Sequence, residues 1–122
     1  MTESSKIARI CARIAYEKRA EDIVVLDLRK LTDVTDYMLV ASVGSPQQGS
    51  AIIQELKHRL LELGVEHLGR EGNRQDKWIL VDFGEVIVHL FEPTTRTFYD
   101  IENLWGDAPR LDLEDSLEGN QG

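Results

Sequence analysis

The run WILVDFGEVIVHLF, Trp78 to Phe91, constrains this chain more than any other segment. Trp78 to Asp82 and Val86 to Phe91 are rich in β-branched and aromatic residues, and the three residues between them, Phe83, Gly84 and Glu85, are a short connection. That arrangement predicts an antiparallel hairpin. A ribbon this apolar must be covered, so the rest of the sequence has to supply neighbouring strands and a helical layer.

Both are legible. Ile23 to Leu28 (IVVLDL) and Tyr37 to Val43 (YMLVASV) read as largely buried strands, with turn chemistry from Thr32 to Asp36 between them. Ile7, Ile10, Cys11, Ile14 and Ala15 recur at helical spacing after Ser4 and Ser5, which are the expected caps of a first helix. The second helix has sharper limits: Ser45 at the N-cap, Pro46 at the first helical position and Gln48 in a capping box, with Gly64 at the stop. Ile52, Ile53, Leu56, Leu60 and Leu63 form its buried stripe. Residues Gly69 to Lys77 read as a polar loop, and after Pro93 the segment Phe98 to Trp105 (FYDIENLW) reads as a short helix packed on the sheet.

The expected fold is therefore α/β, one small mixed sheet with helices packed against it. With 122 residues, 42% of them hydrophobic, the chain can build one core and not two. Residues 1–110 form the expected domain, and 111–122, acidic and ending Gly-Asn-Gln-Gly, an expected disordered tail. No apolar run approaches the roughly 18 residues of a bilayer span, and Met1, Thr2 and Glu3 do not begin a signal peptide, so the expected location is cytoplasmic. A formal charge of -8 repels a phosphate backbone, which points to a basic protein as partner in preference to nucleic acid.

Catalytic and metal-binding patterns are sparse. Cys11 falls on the buried helix stripe and reads as a core residue. His58, His67 and His89 lie on a helix, in a loop and on a strand, without zinc-ligand spacing. Gly44 and Ser45 precede a helix, where backbone N–H groups attract anions, but the lysine and spacing of a P-loop are missing and an ordinary turn with an N-cap explains them. The same Gly-Ser element opens nucleotidyltransferase sites, yet the paired carboxylates that hold magnesium there have no counterpart after Ser45. An enzyme assembled from Gly44, Ser45, Asp82 and His89 is the alternative; the expectation is no enzyme, no cofactor and no metal. Trp78, Phe83, Phe91, Phe98, Tyr99 and Trp105 crowd the last third of the chain, more large rings than a thin core readily hides, and suit an interface.

Several blocks carry a family resemblance. KRAED (18–22) before IVVLDL, then Thr35-Asp36-Tyr37, Gly44-Ser45 before a helix, Glu71-Gly72, WILVDFGEVIVHLF, and RTFYDIENLW (96–105) resemble the ribosome silencing factor (Iojap-related) family, in that family's order. Val43, Pro46 and Gly49 depart from the usual pattern around the second helix. The resemblance implies a fold related to nucleotidyltransferases without their catalytic carboxylates. It implies binding to the large ribosomal subunit through its basic ribosomal protein number fourteen, blocking small-subunit joining and so repressing translation; large-subunit assembly is the alternative role. A homodimer is also expected. The docking residues expected from this reading are Trp78, Asp82, Phe83 and Glu85 on the hairpin, with Tyr99 and Trp105 behind them.

Overall fold

The structure, a computed structural model, describes residues 3–72, 77–114 and 117. Its elements run α1 (Ser4–Glu17), β1 (Glu21–Asp27), β2 (Tyr37–Ser42), α2 (Pro46–Glu62), β3 (Gly69–Glu71), β4 (Trp78–Asp82), β5 (Val86–Phe91), α3 (Pro93–Tyr99) and α4 (Ile101–Leu104). The strands form one mixed sheet in the order β1-β2-β5-β4-β3. Only the central β2–β5 pair is parallel, Tyr37 facing Val86 and Ser42 facing Phe91; the other pairs are antiparallel. The expected hairpin is β4–β5, with Trp78 opposite Phe91 and Asp82 opposite Ile87.

Alternation along the strands sorts side chains onto two faces. Val25, Tyr37, Leu39, Ala41, Ile79, Val81, Val86, Val88 and Leu90 face α1 and α2, where Ile7, Cys11, Ile14, Ile52, Ile53, Leu56 and Leu60 complete the main core. Leu26, Met38, Val40 and Phe91 face the other way and are partly covered by Ile101, Trp105 and Ala108. One face thus carries a full helical layer and the other two short helices. Cys11 is buried in the main core, and desolvation pushes its thiol up to about 12, so it stays protonated and inert.

The α2 boundaries follow the expectation closely. Ser45 Oγ accepts from Gln48 N–H at 3.1 Å, and Gln48 Oε1 reaches one residue beyond the usual box to accept from Gly44 N–H at 2.6 Å. Gly64 ends the helix at φ 81°, a left-handed turn that costs a glycine little.

Four expectations need correction. Ser4 and Ser5 lie inside α1, whose N-cap is Glu3 with no side-chain cap, because Lys6 and Ile7 N–H already bond to the Glu3 carbonyl. The polar loop 69–77 contains β3, since the exposed edge of β4 offers a ladder that Gly69–Glu71 completes; residues 73–76 lie outside the described residues. The single C-terminal helix is two. Glu92 caps the first by accepting from Thr95 N–H, Pro93 starts it, and Asp100 at φ 48° breaks it from α4. The segment expected to be a free tail packs back in its described part: Leu111, Leu113 and Leu117 lie against the main core, held by leucines spaced to reach it. Residues 115, 116 and 118–122 lie outside the described residues. No helix among the described residues is long and apolar enough to cross a membrane.

Candidate docking face

The thinly covered face of the sheet gathers rings. Trp78 stacks on Phe91 with centroids 5.1 Å apart, and Tyr99 of α3 leans on Trp78 at 4.8 Å. Phe98 meets Tyr99 edge-on at 5.1 Å. These distances and tilts are those aromatic pairs prefer. Phe91 is buried beneath, Trp78 is half-buried, and Tyr99 and Phe98 stand 53% and 79% exposed. Rigid rings anchored on a buried one, with their outer surfaces bare, have the character of interface anchors.

His89 sits under this cluster. It is 3% exposed, and its Nδ1 accepts from Trp78 Nε1–H at 3.0 Å, which fixes the Trp78 ring in the plane that Tyr99 meets. Burial pulls its pKa down to about 4, so the imidazole is neutral at pH 7, and protonating Nδ1 would remove the acceptor. The folded pKa lies below the unfolded value of about 6.5, so this group's stabilisation is complete above about pH 6.5 and is lost as pH falls toward 4. The full loss is about 3 kcal/mol. His89→Gln should flatten the fall in melting temperature between pH 7 and pH 4 relative to the parent; identical pH profiles would contradict the assignment.

The orientation of α3 and α4 is set by Arg96, which is 9% exposed. Its Nε and NH2 donate to the two oxygens of Glu102, both at 3.0 Å, and NH1 donates to Ser42 Oγ at 2.9 Å. That fork spans the break at Asp100 and ties both helices to the end of β2. The Arg96 guanidinium holds the Glu102 carboxyl below its ordinary pKa. Sequence reasoning missed this clamp, although an arginine inside a mostly apolar C-terminal block was its visible sign.

Of the six expected docking residues, the structure brings Trp78 and Tyr99 together on this face. Phe83 is elsewhere. At 4% exposed it belongs to the main core, because it continues the inward parity of Ile79 and Val81 past the end of β4. The expectation placed it on the docking surface; the structure buries its ring in the core. Asp82 is half-buried and turned to its own loop, Oδ1 accepting from Gly84 N–H at 2.7 Å while Gly84 sits at φ 87°. Glu85 is exposed at the tip of that turn. Trp105 is half-buried against the cluster of Leu26, Met38 and Phe91, and its buried Nε1–H has no acceptor among the described residues.

The residues of the enzymatic alternative are not brought together. Gly44 and Ser45 line a mostly apolar cavity of about 160 Å³ with Val43, Pro46, Ile79 and Leu90, and with Lys77 and Glu92, whereas Asp82 and His89 are not among its lining residues. The Gly44 N–H and the Ser45 hydroxyl oxygen are engaged by Gln48. Among the described residues no three of His, Cys, Asp and Glu converge as a metal set.

A family model described as ribosomal silencing factor during starvation matches residues 1–122. The chain belongs to the ribosomal silencing factor family. A ribosomal silencing factor of Bacillus subtilis is 42% identical over 108 residues, covering 88% of this chain and 92% of the relative. The chloroplastic protein Iojap of Arabidopsis thaliana is 33% identical over 114 residues, covering 91% of this chain and 46% of that longer protein. Two solved structures share the fold. One, from Chromobacterium violaceum, has a TM-score of 0.81 at 37% identity over 86% of this chain and 88% of that one. The other, from Bacillus halodurans, has 0.77 at 32% over 89% and 99%. The bacterial relatives are named as ribosomal silencing factors, and membership of that family supports a ribosome-silencing role for this chain.

Proposed function

We propose that this chain represses translation in the cytosol by docking on the large ribosomal subunit, through its basic ribosomal protein number fourteen, and obstructing small-subunit joining. No catalytic step is involved. The observation that carries the reading is the bare aromatic face of Trp78, Tyr99 and Phe98, built on buried Phe91 and His89, in a chain of the silencing-factor family. Trp78 and Tyr99 fill an apolar depression on the partner. Glu85, exposed on the hairpin turn, supplies a rim charge for a lysine or arginine, while Asp82 acts by shaping that turn.

A protein on the joining face cannot share the large subunit with the small one. In gradient fractions of lysate the chain should follow free large subunits and be depleted from monosomes and polysomes. Equal abundance in both would contradict obstruction of joining.

A further inference from the structure

Among the described residues β1 is an edge strand, its second side facing no other strand of the sheet. Edges of this kind present unpaired backbone groups and recruit extended chain. Here the recruit is the chain's own C-terminal segment. Asp27 N–H donates to the Pro109 carbonyl at 2.8 Å, Leu111 N–H donates to the Val25 carbonyl at 2.8 Å, and Leu26 faces Arg110 in antiparallel register. Leu111 and Leu113, two residues apart, turn to the main core beside Leu117. From α1, Arg9 NH1 donates to the Asp112 carbonyl at 2.7 Å and Arg13 NH1 to the Leu117 carbonyl at 3.1 Å.

We propose that the β1 edge and the leucine seats beside it are a strand-addition site for an extended leucine-x-leucine segment, occupied in cis by residues 109–113 and open in trans to the same segment of a second copy. The occupant is identified by what already fits. Its backbone pairs with β1 and accepts from Arg9 and Arg13, and its alternate leucines meet the core. The attachment is slender beside a true strand: among the described residues one bridge with two ladder bonds joins it to β1, two arginine side chains reach its carbonyls, and its leucines are only partly buried. Segments with so few buried contacts open well below the cost of global unfolding.

The test uses the full-length chain with Leu111→Asp and Leu113→Asp, which expels its own strap, and a fluorescent peptide copying residues 108–117. The doubly substituted chain should bind the peptide saturably, and a peptide with both leucines replaced by aspartate should not bind. A tethered strap competes at roughly millimolar effective concentration, so the parent should bind the peptide about a hundredfold more weakly. If the substituted chain is unfolded alone, restoration of its circular dichroism by the parent-sequence peptide alone supports the site. Absence of both saturable binding and restored folding overturns it, as does equal binding by the parent or by the aspartate peptide. None of these results depends on ribosome docking.

Discussion

Replacing Trp78 by alanine should weaken capture of the large subunit by about 30-fold or more, corresponding to about 2 kcal/mol of lost contact. The ring is the hub of the candidate face, stacked on Phe91, touched by Tyr99 and pinned by its bond to His89 Nδ1. Its removal also leaves that buried acceptor without a donor, so part of the effect is structural. Two controls separate the parts. Trp78→Phe keeps a ring over Phe91 but loses the N–H, and should retain most binding if ring contact dominates. Tyr99→Ala removes a largely exposed ring at little cost in stability and should weaken capture on its own. Full binding by folded Trp78→Ala and Tyr99→Ala would remove this face from consideration and leave the rest of the C-terminal block as the next place to look.

Phe83→Ala should act through stability. The ring is buried in the main core at the very turn of the β4–β5 hairpin, where Phe83 N–H also bonds to the Val86 carbonyl at 2.9 Å. Truncating a buried phenylalanine costs about 3–5 kcal/mol, a large share of the 5–15 kcal/mol that holds a typical domain folded. The melting temperature should fall by roughly 10 °C or more. Wherever the variant remains folded, it should capture the large subunit as the parent does. A melting temperature within 2–3 °C of the parent, a shift about as small as a surface substitution gives, would contradict its burial.

The contrast between Trp78 and Phe83 shows how far the sequence could be read. The hairpin, the two apolar strands before the second helix and the capped second helix itself are visible because each is written in local chemistry: alternation, β-branched runs, and Ser45-Pro46 with Gln48. Strand parity was equally available, and carried one residue past Asp82 it would have placed Phe83 inward with Ile79 and Val81. Other features have no local signature. β3 forms because β4 has an open edge, Arg96 is buried because Glu102 and Ser42 meet it from distant positions, and Leu111, Leu113 and Leu117 find a seat only after α1 and β1 are in place. Such contacts are decided by tertiary assembly, beyond the reach of composition or period. The acidic composition after Arg110 suggested a free tail for the same reason, since nothing in it reveals the edge of β1.

For the candidate site, Trp78 and Tyr99 were legible as large rings in a crowded block, and their company was not. His89 belongs to the enzymatic alternative in the sequence; the structure gives it a structural task, orienting Trp78. Asp82 turned out to serve Gly84, which leaves Glu85 as the exposed charge of the turn.

The central claim is obstruction of subunit joining, and purified subunits test it most directly. Large subunits preincubated with the chain and then mixed with small subunits should form fewer joined particles as the chain is added, with light scattering falling to the level of separate subunits at saturation. The Trp78→Ala variant should need about 30-fold more protein for the same effect. Undiminished joining while the chain is demonstrably bound to the large subunit would contradict the account.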